Sequence, residues 1–445
     1  MESTRKKSEI GNGLFNSRHL RAWWILPAWG ENQCASVNHR WGEGGFMKLY
    51  SGSLYWDKTV DAPDRFEKVK EGKRTQVLIA GGGISGTLCA YVLSAMGMDV
   101  ILAEKNKIGK GSSIASTGLL QYRSDKMLCE FADAIGEERG HLFYRMCLEA
   151  MDQLTLLSKS LGDKTEYRSM DSLYFASEAK DVKKLVREYE LLRKYDFPVE
   201  FLDEDRLRRI YQIHKPCALR TWHDADVNPY RWIQALTRKN IEQGVRYFEN
   251  TELDLDNIQG NGILTKEGHS IQFEHLILTT GYSKIYPMIK DKIMIRRTYA
   301  FCSKPMKDDL WKDHVMVWET KNPYLYFRTT MDDRIIGGGL DEDQEDLEQD
   351  GEKIMAKAKR IAAQIETIFP NLDIQIDAAW NALFCGSKDG LPFIGADPVQ
   401  ENRYYLLGYE GNGMCYSMAG ALILKDHILG KPNRYQDIVR MDRGR

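Results

Sequence analysis

Residues 75–86 read T-Q-V-L-I-A-G-G-G-I-S-G, an apolar run from Thr75 to Ala80 followed at once by Gly81, Gly83 and Gly86 in the spacing G-x-G-x-x-G. A short apolar run without polar alternation fits a strand buried on both faces of a parallel sheet. Thr87 to Met96, rich in Ala and Leu, continues as a helix. In that order each glycine has a mechanical reason. Gly81 makes the tight turn, Gly83 lets the backbone approach a pyrophosphate, and Gly86 lets the helix lie close to the strand. Ile84 and Ser85 open the helix, whose free N–H groups and positive dipole end suit phosphate.

Asp99 to Ala103 (D-V-I-L-A) reads as the second parallel strand, and Glu104 ends it. The acid falls about twenty residues after the first glycine, where a carboxylate accepts both hydroxyls of an adenosine ribose. Lys105 beside it joins the expected cofactor contacts. An acid at this place disfavours a 2′-phosphate and hence NADP. The motif in this setting specifies a dinucleotide site but leaves FAD and NAD open.

Other segments bear on that choice. Gly109-Lys110-Gly111-Ser112-Ser113, then Ser116-Thr117-Gly118, continue just past the acid, and Leu276 to Gly281 (L-I-L-T-T-G) is another buried strand ending in glycine. Far along the chain stand Asp389-Gly390-Leu391-Pro392-Phe393-Ile394-Gly395 and Gly408-Tyr409-Glu410-Gly411-Asn412-Gly413-Met414, the latter opening a helix to about Gly430. This ordered set, over nearly all of residues 75–432, resembles the D-amino-acid oxidase-like superfamily of FAD-dependent oxidoreductases, which includes glycine, sarcosine and gamma-glutamylputrescine oxidases. The resemblance implies FAD, with Gly411, Asn412, Gly413 and Met414 beside the isoalloxazine. A helix N-terminus there would stabilise the negative charge that reduction places near N1 and O2. The expected cofactor residues are thus Gly81, Gly83, Ile84, Ser85, Gly86, Glu104, Lys105, Gly111, Ser112, Ser113, Thr117, Gly118, Gly281 and Gly411 to Met414. Cys385 does not have the spacing of the covalent cysteine in the sarcosine oxidases, and no histidine lies in Gly109 to Gly118, so the FAD is expected to be non-covalent.

Between these segments, Met170 to Ser177, Ile293 to Lys304, Val315 to Thr320, Tyr324 to Thr330 and Arg334 to Gly338 are β-branched or aromatic runs separated by turn residues, which reads as an antiparallel sheet. Helical patterns flank it at Glu130 to Leu161, Val182 to Tyr195 and Glu352 to Phe369. The fold class is therefore α/β (α+β overall), a Rossmann-like FAD domain with a parallel sheet plus a substrate domain on an antiparallel sheet. The expected division is 75–165, 217–285 and 376–432 for the FAD domain, and 166–216 and 286–375 for the substrate domain. The acidic run Asp341 to Asp350 lacks the glycine of a calcium loop and reads as a solvated loop. Tyr324, Tyr326 and Arg328 alternate with Leu325 and Phe327, so they share a face. If that face looks at the flavin, Arg328 is the candidate anchor of a substrate carboxylate and the two tyrosines position the substrate. Arg297 and Tyr299 form a similar pair.

The composition excludes other classes. The 445 residues are 43% hydrophobic and 28% charged, a globular balance, and 62 basic against 64 acidic residues provide no field for nucleic acid. The eight cysteines never form C-x-x-C, so neither zinc nor dithiol chemistry is read, and no metal site is expected. No apolar run is long enough to span a bilayer, and a cytoplasmic protein is expected. Residues 1–46 hold four of the ten tryptophans without period, and Glu43 to Met47 back-translates to a purine-rich stretch ahead of ATG, so they are expected to be a non-native or disordered leader, with Met47 the start.

Three functions remain open. One is oxidation of the C–N bond of a small amine or amino acid by hydride transfer to flavin N5, with O2 or another electron acceptor. Another is a flavoprotein dehydrogenase of a 2-hydroxy acid or of glycerol 3-phosphate. The third is a non-catalytic dinucleotide-binding protein, against which the second domain argues.

Overall fold

The run that opens the sequence motif becomes the strand Lys73–Ala80, fully buried from Val77 to Ala80. The computed structural model describes residues 48–306, 310–407 and 409–444. Among these, Lys73–Ala80 is a central strand of a seven-stranded sheet, between Val100–Ala103 and Ser270–Leu278, with Arg246–Phe248 and Arg403–Leu407 outside them, all parallel. Gly262–Leu264 and Phe393–Ala396 add antiparallel edges. The turn into the helix Ile84–Ser94 is possible only for glycine: Gly81 has φ +116°, and a Cβ on Gly86 would stand 1.9 Å from the Gly81 carbonyl oxygen. That close approach seats Ile84–Ser94 against the strand and against the late helix Gly413–Ile428, to which Ser85 Oγ hydrogen-bonds through Ser417 Oγ at 2.9 Å.

The second sheet has ten strands, in the order Tyr50–Gly52, Ile376–Ser387, Ile293–Ser303, Ile335–Glu342, Tyr326–Thr329, Met316–Glu319, Arg168–Phe175, Cys217–Asp226 and Leu119–Leu120, with Val199–Asp203 also paired to Cys217–Asp226. All pairs are antiparallel except that of Met316–Glu319 with Arg168–Phe175. One face carries Phe301, Phe327 and Ile335 and is covered by the helix Gly351–Ile368 through Ile354, Ile361 and Ile365. The opposite face carries Ala300, Ile336 and Trp380 and packs on Trp56, Ile114, Ala115 and Tyr230. The segment after Glu104 thereby lies against the larger sheet.

The expected architecture holds, a parallel sheet of Rossmann type beside a mainly antiparallel one, and four details need correcting. The long strands Cys217–Asp226 and Ile376–Ser387, assigned by sequence to the FAD domain, belong to the ten-stranded sheet; their apolar runs do not show which sheet they join. The helix expected over Glu130 to Leu161 is two, Leu128–Ile135 and Glu137–Leu161, because Gly136 at φ +90° breaks the hydrogen-bond ladder. Asp341 and Glu342 are not loop but the end of the strand Ile335–Glu342. The strand expected from Tyr324 begins at Tyr326. The expected leader, residues 1–46, lies outside the described residues. Among the described residues no helix is long and apolar enough to cross a membrane, and the cysteines are buried and unpaired.

Candidate functional site

Cofactor-side geometry starts at the glycine turn. Glu104 accepts hydrogen bonds from Gly82 N at 2.7 Å and Asn106 N at 2.7 Å, which fixes the carboxylate at the mouth of the turn. Burial pushes its acid upward, against those two bonds. Ser113 Oγ accepts from Ile84 N at 3.1 Å, and a Cβ on Gly83 would crowd that oxygen at 3.0 Å. Gly81, Gly83, Ile84, Ser85, Gly86, Glu104 and Ser113 therefore gather around one helix N-terminus, with Gly111 and Ser112 opening the adjoining turn Ser112–Ala115. Gly281 (φ +56°) follows the strand that flanks Gly81. Lys105 continues the chain from Glu104 and is part-exposed. A site built so, backbone donors without side chains in front and a carboxylate at its edge, fits a dinucleotide.

The second half of the site is the start of the helix Gly413–Ile428. Asn412 donates through Nδ2 to the carbonyls of Gln121 and Arg123, the latter at 3.1 Å, and Gly411 N donates to Asp125 Oδ2 at 2.7 Å. Met414 is buried behind them; Gly408 lies outside the described residues. Tyr324 donates to Asp125 Oδ1 at 3.1 Å, and its ring stands 5.6 Å from that of Tyr326. Tyr326 lies across Gly338, where any Cβ would meet its hydroxyl at 2.3 Å. Thr117 and Thr298 serve the Tyr326 hydroxyl, and Thr298 also serves Asp341.

Three carboxylates converge here that the sequence reading did not single out: Asp125, Asp341 and Glu410. Each is set deep among protein atoms yet keeps part of its surface exposed, as do Tyr324 and Tyr326, so that together they line a recess. Burial, with the neighbouring Asp125 charge, raises Glu410 to about 7, and burial raises Asp341 to about 6. Asp125 is raised by burial as well, in spite of its bonds from Gly411 and Tyr324. Glu410 Oε1 accepts from Ser387 N at 2.6 Å. Asp341 is aimed inward by an irregularity: the pairing shifts register between Arg297 and Tyr299, Gly339 has φ +146° and Leu340 φ +56°. Such bulges redirect side chains, and strict alternation does not foresee them. Glu410 was legible only as a variable position in a glycine motif, and Asp125 carried no signal.

Tyr324 reaches Asp125 and Arg328 reaches Thr117, but Arg328 is not a free anchor. It is 2% exposed. Its Nε donates to Thr117 O at 2.8 Å, Nη2 to Val227 O at 2.8 Å, and Nη1 to Thr329 O at 2.8 Å and Asp226 Oδ2 at 3.3 Å. A substrate carboxylate would have to displace these partners, so the expected role is corrected: Arg328 pins Thr117 and Val227 to the larger sheet. Arg297 is likewise engaged, with Glu342 at 2.7 Å.

Arg328→Lys keeps the charge but leaves the Thr117 and Val227 carbonyls short of donors. It should destabilise the protein by roughly 3 kcal/mol in denaturant unfolding, without changing the ranking of carboxylated against uncarboxylated substrates. Glu410 gives a pH dependence. Between its ordinary value of 4.5 and about 7 the folded protein holds a proton that the unfolded chain has released, so stability is greatest at low pH and falls as pH rises through this window. Glu410→Gln should leave the melting temperature of flavin-free protein unchanged at pH 4.5, and at pH 8 should raise stability by roughly 3 kcal/mol.

Comparison with known proteins agrees with this geometry. Residues 76–427 match the D-amino-acid oxidase-like family described as FAD dependent oxidoreductase. The chain is 23% identical over 386 residues to the gamma-glutamylputrescine oxidoreductase of Escherichia coli (83% of this chain, 88% of the relative), and 24% identical over 374 residues to the glycine oxidase of Bacillus licheniformis (81% and 94%). Its fold superposes on the crystal structure of glycine oxidase from Geobacillus kaustophilus with a TM-score of 0.71 at 17% identity, covering 84% of this chain and 100% of the other. L-proline dehydrogenase from P. horikoshii gives 0.70 at 20% identity, covering 84% and 98%. With the glycine turn, Glu104 at its mouth and the late glycine loop all within that span, the chain belongs to the D-amino-acid oxidase-like family of FAD-dependent oxidoreductases.

Proposed function

We propose that this protein oxidises the C–N bond of a small amine or amino acid, with O2 as the final acceptor and FAD held without a covalent link. What carries the reading is the meeting of Asp125, Asp341 and Glu410 with Tyr324 and Tyr326 beside the Gly411 to Met414 turn, where burial raises all three acids. Only an unprotonated amine has the lone pair that assists loss of hydride from the neighbouring carbon. A substrate amine arrives as ammonium, so the site needs a group that accepts a proton near neutral pH, and Glu410, raised to about 7, answers that need. Tyr324 and Tyr326 orient the substrate and exclude water from the reacting carbon.

Bound FAD would supply the two-electron acceptor for the hydride. The residues that would hold it are Gly81, Gly83, Ser113 and Glu104 at the adenosine and phosphate end, and Thr117 with Gly411 to Met414 at the ring end. The backbone N–H groups at the start of the helix Gly413–Ile428 favour negative charge placed before them. The carbon product is an imine, which water hydrolyses to a carbonyl compound after release. A 2-hydroxy acid or glycerol 3-phosphate brings no ammonium proton for these carboxylates to take up, which disfavours the dehydrogenase reading. The relatives named as glycine oxidase and gamma-glutamylputrescine oxidoreductase support amine chemistry on this fold.

The purified protein should be yellow, and acid precipitation should release FAD and leave a colourless pellet; a yellow pellet would show a covalent link. Under anaerobic conditions, an amine panel should bleach the flavin absorbance, and readmitted O2 should restore it with formation of peroxide. Bleaching by hydroxy acids but by no amine would overturn the assignment.

A further inference from the structure

We propose that the substrate is a diamine or polyamine, without a carboxylate and with a second ammonium group that Asp341 receives. This inference rests on the amine-oxidation reading and narrows it. The wall of the cavity carries the Asp125, Asp341 and Glu410 carboxylates and the rings of Tyr324 and Tyr326. Asp341 Oδ1 is closed off from solvent and has no hydrogen-bond partner. A buried acceptor left unsatisfied is costly. An ammonium group answers it with three donors and a charge of the right sign, and the tyrosine faces favour a cation in the same place.

The cations that would recognise a substrate carboxylate are engaged elsewhere. Arg328 is bonded to Thr117, Val227, Thr329 and Asp226. Arg297 is held by Glu342, which also takes bonds from Tyr299 and Lys357. Arg296, the remaining arginine near Asp341 and Glu410, donates to the exposed Asp343 at 3.0 Å. A carboxylate beside Asp125, Asp341 and Glu410 would therefore meet three acids, and Arg296, the nearby arginine that offsets them in part, is itself paired with Asp343. Of the two ammonium groups in a diamine, one gives its proton to Glu410 and reacts, and the other stays charged against Asp341.

The test uses the FAD-loaded enzyme and three compounds of matched chain length, from three to five carbons between the functional ends: the diamine, its mono-N-acetyl derivative and the ω-amino acid. Binding is read from perturbation of the flavin spectrum, and turnover from anaerobic bleaching. The diamine should exceed the acetylated amine by about tenfold or more in kcat/KM and in affinity, and the amino acid should rank last. Asp341→Asn should bring the diamine close to the acetylated amine, and Asp341→Glu should restore the preference. Flavin content and melting temperature check that the variants fold, and the wild-type ranking stands without them.

Equal or better performance of the amino acid, or a diamine preference that survives Asp341→Asn in folded protein, would overturn the proposal. If no amine bleaches the flavin but the diamine still binds in preference, the oxidation reading fails and the cation pocket stands. If the amines bleach the flavin with no preference for the second charge, the oxidation reading stands and this inference falls.

Discussion

The buried guanidinium of Arg328 holds the two halves of the site together. It lies on a short strand of the larger sheet and donates to backbone carbonyls of Thr117 and Val227 and to the Asp226 carboxylate, which also takes a bond from Arg168 Nε at 2.9 Å. Burying such a charge is tolerable only when its donors are satisfied. The cofactor-side segment around Thr117 is thus fixed relative to Tyr326 on the same strand. Close contact reinforces this at Gly118, where a Cβ would stand 2.7 Å from Arg328 Nη2 and 2.3 Å from Val227 O.

Within that frame the electrostatics are unusual for a site expected to bind amino acids. Three carboxylates stand together, burial raises the proton affinity of each, the Asp125 charge adds to this at Asp341 and Glu410, and Arg296, itself paired with Asp343, offsets them only in part. Low local polarisability strengthens their attraction for a cation and their repulsion of an anion. Substrate protonation and substrate selection are then handled by the same groups, with Glu410 suited to exchange protons and Asp341 to remain charged. Family membership shows that the fold binds FAD and performs redox chemistry; the substrate is decided by side chains that line this space.

Gly338 and Gly339 show how the strand Ile335–Glu342 was adapted to this purpose. Gly338 leaves room for Tyr326 to lie across the strand, and the irregular backbone at Gly339 and Leu340 turns Asp341 into the cavity. A regular strand would have kept the alternation and buried a different set of residues. The local cost of Leu340 at positive φ is met by the pairing on either side.

The sequence by itself determined the cofactor half. G-x-G-x-x-G between a buried strand and a helix, with Glu104 at its distance, is a local pattern whose geometry follows from steric limits on a few consecutive residues, and the resemblance over residues 75–432 extended it to FAD. Alternation also placed Tyr324, Tyr326 and Arg328 on one face. Tertiary structure alone decided what those side chains do. Arg328 is spent on carbonyls supplied by Thr117 and Val227, more than a hundred residues earlier, and Asp125, Asp341 and Glu410 meet although they come from a loop, a bulged strand end and a glycine turn. Local pattern fixes the direction in which a side chain leaves the backbone, but its partners and its charge state depend on what the rest of the chain brings within a few ångströms.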